Sequence, residues 1–305
     1  MRKSMIFIFL SLIFALSQPL APVFSADRPA PGKTAVDNSA TDKRVKDAVS
    51  ALLAAYEKKD AYSDWEAYGL LINGVTLPKS YYTALDKKIK DAKGSFRAVT
   101  DYARLALVYK AAGKNPSRAA GYNLIKSIYS FDNVSKQGVN GPIWALLAVK
   151  DQTLPKNAKW NVGLLVDEIL KCQLQSGKFS FSAGKKATAE FDSTSLSCMA
   201  IVALSSVRDA QKDDERIPKA IDSALKYVAD SADKLTKSSE AVSQYIIALC
   251  AAGAADGAAP WAEALLGFQL ADGTFAHVKD GKSDSMATEQ ALLALTAYVK
   301  GGNIY

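Results

Sequence analysis

The sequence predicts an all-α fold: six helical hairpins closed into an α/α toroid, an inner ring of helices wrapped by an outer ring. Three observations lead there. After residue 42 helical periodicity dominates and strand signals are sparse. One unit occurs twice: Gln269-Leu270-Ala271-Asp272-Gly273-Thr274-Phe275, a polar loop and the helix Ser285 to Leu295 repeat the plan of Gln173-Leu174-Gln175-Ser176-Gly177-Lys178-Phe179, a loop and the helix Asp192 to Leu204. The two glutamines lie about 96 residues apart, two periods of about 48, in the range where repeats define a fold. Alternate helices are rich in Ala, Leu and Ile round much of their circumference, the mark of buried inner helices, while their partners carry more Lys, Asp and Glu. An open superhelix of the same hairpins is the alternative; six hairpins fit closure, which hides the end faces a solenoid must cap.

The chain opens as an export signal would. Arg2 and Lys3 precede an apolar run, Met5 to Leu16, that is too short to span a bilayer stably. Residues 1–25 are expected to be a signal peptide cleaved after Ser25; an uncleaved N-terminal anchor is the alternative. No later stretch is long and uncharged enough for a membrane span. Residues 26–42, with Pro29, Pro31 and Gly32, read as a flexible linker. Residues 43–305 form the toroid domain, and the apolar content is enough for a large core.

The helices follow in order. Lys43 to Lys59 carries Val45, Val49, Leu52, Leu53 and Tyr56 on one face. Ser63 caps a second, ending at Asn73-Gly74. Pro78 opens a third through Leu85 and Ile89, and Thr100 caps a fourth that stops at Gly113. A fifth covers Tyr122 to Ile128. Asn140-Gly141-Pro142 starts a sixth, where the missing proline N–H costs little. The seventh runs Trp160 to Leu174, the eighth Asp192 to Val207 and the ninth Pro218 to Ala229. Ser239 caps the tenth, which stops at Gly253; the eleventh is Pro260 to Leu270 and the twelfth Ser285 to Tyr298. Gly74, Gly113 and Gly253 align as stops, and Ala148, Ala203, Ala248 and Ala294 align within the second members of the hairpins. In each repeated turn Gln bridges the end of an outer helix, Gly permits a positive φ, and the aromatic seals neighbouring hairpins.

The pattern Gln-x-x-x-Gly-x-aromatic, carried by Gln173, Gly177 and Phe179 and by Gln269, Gly273 and Phe275, resembles the terpenoid-cyclase and protein-prenyltransferase α/α-toroid superfamily, with Phe where the cyclases usually have Trp. Lys43 to Tyr298 looks like bacterial secreted prenyltransferase/squalene-oxidase-repeat proteins, through segments such as Ser63-Asp64-Trp65-Glu66-Ala67, Thr100-Asp101-Tyr102, Gly121-Tyr122-Asn123-Leu124 and Gly138 to Ile143. The resemblance implies the fold. It leaves activity open, because the superfamily holds cyclases, transferases, cobalamin carriers and complement-type domains.

The Asp-x-Asp-Asp acid of squalene-type cyclases does not occur; Asp192 is followed by Ser, Thr and Ser and reads as a helix cap. The zinc set of the prenyltransferases fails too: Cys198 lies off the face of Asp192, and His277 is a lone loop histidine. Asp213-Asp214-Glu215 is an acidic run in a hydrophilic link and reads as solvated surface. His277 near Asp280 and Asp284 is a candidate base without a nucleophile elbow, and no P-loop or dinucleotide fingerprint occurs. Cys172, Cys198 and Cys250 sit in helical patterns and read as buried thiols. No cofactor and no metal is implied, and catalysis is not expected.

Loss of the leader lowers the formal charge from +7 to about +5, and the lysine clusters 87–90 and 185–186 read as solvated faces, not nucleic-acid sites. A basic exported protein can associate with an anionic wall or surface. What remains is the cavity, whose mouth the N-terminal ends of the inner helices would line. Its candidate ligand-binding residues are Trp65, Tyr102, Trp144, Asp192, Tyr245 and Glu289, with Asp64, Asp101, Asn140, Thr194 and Glu240 beside them. Aromatics beside polar groups suit an amphipathic ligand with a polar handle. The expected function is a secreted or cell-surface, non-catalytic module for a prenyl lipid, a corrinoid-like molecule or a surface protein partner. The cobalamin carriers have a β-rich second domain that this sequence does not show. A cyclase- or transferase-like enzyme and a purely structural toroid, its centre packed solid, are the alternatives.

Overall fold

The computed structural model describes residues 38–184 and 193–305. The expected signal peptide, the linker up to residue 37, Lys185-Lys186 and Asp192 lie outside the described residues. The helices are α1 (Ser39–Tyr56), α2 (Asp64–Ile72), α3 (Lys79–Asp91), α4 (Val99–Ala111), α5 (Leu124–Tyr129), α6 (Asn140–Val149), α7 (Val162–Leu170), α8 (Ser193–Ser205), α9 (Arg216–Ala229), α10 (Ala232–Leu235), α11 (Ser239–Ala251), α12 (Ala259–Leu266) and α13 (Ser285–Lys300). Among the described residues extended pairing is confined to isolated bridges, so the fold is all-α. All twelve expected helices are present; α10 is additional.

Local chemistry explains most boundaries. Ser63 and Glu66 form a capping box: the Ser63 hydroxyl accepts from the Glu66 N–H at 3.0 Å and the Glu66 carboxylate from the Ser63 N–H at 2.7 Å. The stops at Gly74, Gly113 and Gly253 are left-handed, and in each the next N–H reaches back five residues, as from Val75 to the Leu70 carbonyl at 3.1 Å. Other expected boundaries shift. The first helix begins at Ser39, inside the stretch read as linker. Thr100 does not cap α4; its hydroxyl donates to Gln137 at 3.0 Å. Ser238 caps α11, because Ser239 is tied elsewhere: its N–H donates to the His277 carbonyl at 3.0 Å and its hydroxyl to the Ala276 carbonyl at 2.8 Å. Helix α12 ends at Leu266, four residues early, because Gln269 pairs with Phe275 as a bridge and Leu270 donates to Thr274.

Packing orders the helices in two sets. Helix α2 packs on α4, α4 on α6, α6 on α8, α8 on α11, α11 on α13, and α13 returns to α2. Five further helices lie against this circuit: α1 on α12 and α13, α5 on α4 and α6, α7 on α6, α9 on α8, and α12 on α11. Helices α6 and α11 are buried on nearly every residue, whereas α9 buries one stripe, Ile217, Ile221, Ala224, Leu225 and Val228, and shows lysines outward.

The repeated turns join the sets. Phe179 and Phe275 are wholly buried. The Phe179 N–H donates to the Ser197 hydroxyl of α8 and the Phe275 N–H to the Thr288 hydroxyl of α13, both at 3.0 Å. Gln173 spans to α9, donating to the Ala220 carbonyl at 2.9 Å and to Ser223 at 3.0 Å. The second turn sits on α1 instead, with Gly273 facing Ala51.

Candidate functional site

Side chains from the first halves of α2, α4, α11 and α13 are joined along one edge, here called the rim. Arg104 of α4 donates to Asp64 of α2 and to Asp101, each at 2.9 Å; the Ser63 hydroxyl donates to Glu289 of α13 at 2.8 Å; Gln244 of α11 donates to Gln290 at 3.1 Å. Lys88 of α3 completes the cluster with a 2.8 Å ion pair to Asp64. Tyr62, Ser63, Asp64, Trp65, Lys88, Arg104 and Glu289 line a pocket of about 380 Å³. Burial raises the Glu289 carboxyl above its ordinary value; the Ser63 hydroxyl opposes this and the nearby Glu66 charge adds to it. Glu66 itself is buried and pairs with Lys59 at 2.5 Å. The pocket therefore offers an indole face, two cations that share one carboxylate, and a second carboxyl whose ionisation burial disfavours.

Behind the rim the centre of the circuit is aromatic. Trp65 and Trp144 lie 4.7 Å apart between ring centroids. Tyr305 stacks on Tyr68 at 5.4 Å and meets Trp144 edge-on at 5.4 Å and Trp65 at 6.3 Å. The space left, lined by Ile143, Trp144, Leu147, Met199, Val202, Gln244 and Tyr305, is about 10 Å³, no more than one water needs.

Of the expected site residues, Trp65 and Trp144 meet at this centre, and Glu289 shares the rim pocket with Trp65. Tyr102 stands apart: it packs between Phe96 and Phe131 and its hydroxyl accepts from the Phe96 N–H at 2.7 Å, beside a separate pocket with Ser127, Asn133 and Lys136. Tyr245 turns to α12, its ring edge-on to Trp261 at 4.9 Å. Asp192 lies outside the described residues. Sequence reasoning missed Tyr68, Arg104, Lys88 and Tyr305. Tyr68, one turn after Trp65 on the same helix, carried a readable signal; Tyr305 carried none.

Other sequence features take structural places. Asp214 forms paired bonds with Arg216 and Glu215 bonds Lys219, so the acidic run is an ion-paired surface. All three cysteine side chains are buried, and burial pushes the Cys172 thiol up to about 11 and the Cys250 thiol up to about 12. Among the described residues no three His, Cys, Asp or Glu side chains converge as a metal cage, and no helix is long and apolar enough to cross a membrane. No protein-family model, curated protein or solved structure matches the chain.

His277 faces Glu240 rather than Asp280, with Nδ1 at 2.9 and 2.8 Å from the two carboxylate oxygens. The Glu240 hydrogen bond, then its charge, holds the imidazole above its ordinary value of 6.5. The pair therefore stabilises the fold fully below about pH 6.5, and its contribution fades as pH rises through the higher folded-state value. The chain has one histidine, so a single imidazole NMR signal reports this directly. In Glu240→Gln that signal should titrate lower, near the ordinary value; an unchanged midpoint would place the cause outside Glu240.

Proposed function

We propose that the chain is an α/α toroid of the terpenoid-cyclase-like kind, exported or held at the cell surface. It acts as a non-catalytic module whose rim takes an amphipathic ligand. The return of α13 onto α2 and the seating of the second turn on α1 support the closed ring. The observation that carries the binding reading is the rim pocket, which sets Trp65 and Tyr62 beside Lys88, Arg104 and Glu289. An apolar body lies on the indole while its polar end meets the cations and the Glu289 carboxyl. About 380 Å³ is at the small end for ligand sites, which suits the end of an isoprenoid better than a corrinoid macrocycle.

Native mass spectrometry of the mature protein from its own host tests this. The expected result is an added mass that denaturation removes and that Trp65→Ala lowers at least about tenfold in occupancy, an anchor-residue effect of roughly 1.4 kcal/mol or more. The bare mass alone would count against tight carriage. It would favour the second reading, a toroid that binds a protein partner over its rim, which the packed centre of Trp65, Trp144 and Tyr305 supports. Turnover of a prenyl diphosphate would replace both with an enzyme.

A further inference from the structure

Tyr305 is the one member of the central aromatic cluster that no helix carries. Its walls are fixed: Trp65 and Tyr68 stand on α2 and Trp144 on α6. The ring of Tyr305 lies flat on Tyr68, with planes 10° apart, and edge-on to Trp144 and Trp65. Segment 301–305 follows the left-handed Gly301 and is tied to the circuit by the buried Ile304 side chain and by two hydrogen bonds: the Tyr68 hydroxyl donates to the Ile304 carbonyl, and the Asn303 side-chain amide donates to the Val202 carbonyl at 3.0 Å. The Tyr305 N–H turns back to Asn303 within the segment. Around this ring the lining is apolar and adaptable, Ile143, Leu147, Met199 and Val202, with the Gln244 amide at one edge.

We propose that this slot is a binding site for a flat, uncharged ring bearing an acceptor oxygen, and that Tyr305 is its displaceable resident. The tyrosine ring itself shows the shape the slot takes. The Tyr68 hydroxyl, now spent on the Ile304 carbonyl, supplies the donor for a ligand oxygen. Glu289 lies close enough to help hold the Tyr305 phenol neutral, after burial, so an anion in the same place would be repelled. Trp65 borders both the rim pocket and Tyr305, so one indole faces a ligand at the rim and the ring in the slot. The inference deepens the binding-module reading and rests on it: it names where the ring end of that ligand goes. A slot that is open only while the segment is undocked binds with an affinity lowered by the undocked fraction, so removing the resident must tighten binding.

Hydrogen exchange on the full wild-type chain, with p-cresol as the probe, tests it. Amides 303–305 are expected to exchange at least about 100-fold faster than those of α2 and α6, as a low-stability segment does. Saturating p-cresol should raise their exchange further and slow that of residues 66–70. Tyr305→Ala should bind p-cresol about tenfold or more tighter than wild type, read by quenching of Trp65 and Trp144 emission. Protection of 303–305 equal to the ring helices overturns the proposal. So does p-cresol that leaves their exchange unchanged, even if Tyr305→Ala binds it, since that would be no more than an engineered cavity. A Tyr305→Ala chain that does not fold makes the segment part of the core and overturns it as well. Because p-cresol reports on the slot and the added mass from the host reports on the module, either can fail while the other stands.

Discussion

Phe275→Ala should lower the stability of the fold by about 3–5 kcal/mol, the range for emptying a buried Phe site. Phe275 is among the largest side chains with no exposure, and it sits where three elements meet. Its N–H donates to Thr288 on α13, its carbonyl accepts from the Asp284 N–H at 2.9 Å, and the turn that carries it bridges back to Gln269 after α12. The backbone on both sides is thus held by hydrogen bonds that the substitution does not remove. The site therefore cannot collapse to fill the void, and the cavity contribution stays near its upper range. Asp284 is also the N-cap of α13, accepting from the Ala287 N–H at 2.9 Å, so a shift in the turn loosens the start of that helix. Urea denaturation should show a lower midpoint with an unchanged slope. A loss under about 1 kcal/mol would mean the ring seals nothing and the turn is held by its backbone alone.

The elements that the sequence shows are those set by local chemistry. Ser63 with Glu66 three residues on, and Gly after a helix end, act within one turn of chain, so the pattern and the geometry coincide. Thr100 and Ser239 look like caps by the same rule, yet their hydroxyls go to Gln137 and to the Ala276 carbonyl, both distant in sequence. Two adjacent serines, 238 and 239, cannot be told apart until the loop that competes for one of them is in place. The site divides in the same way. Trp65 and Trp144 were legible because they fall early on helices expected to face inward. Tyr245 was expected beside them, but it is Gln244, the preceding residue and so about 100° away round α11, that borders the central space, and Tyr245 meets Trp261 instead. Tyr305 follows two glycines in a segment too short to carry a period, and only the fold places it.

Gly177→Ala should cost far more than Gly273→Ala, although the two glycines occupy the same place in the same turn and share φ +87. The left-handed conformation charges any side chain about 1–2 kcal/mol, and both variants meet that cost. At Gly273 little else follows, since the new methyl would lie 3.4 Å from the Ala51 methyl, a tight contact that a slight shift relieves. At Gly177 it would land 2.2 Å from the Ser223 carbonyl oxygen, in the backbone of α9, so the turn and the helix must part. Gln173, which reaches Ala220 and Ser223 across that junction, would lose its partners in the same movement. We expect roughly 3–5 kcal/mol for Gly177→Ala, by overpacking added to the backbone cost, against about 1–2 kcal/mol for Gly273→Ala. Urea midpoints of the two variants decide it, and equal losses would show the α9 junction to be soft. The coupling gives a sharper check: once Gly177→Ala has parted the junction, Gln173→Ala should add little, since both substitutions break one contact. The same turn is thus clamped by side-chain bonds at the α9 junction and only rests against α1 at its second occurrence, so the α1 joint is the one that tolerates movement.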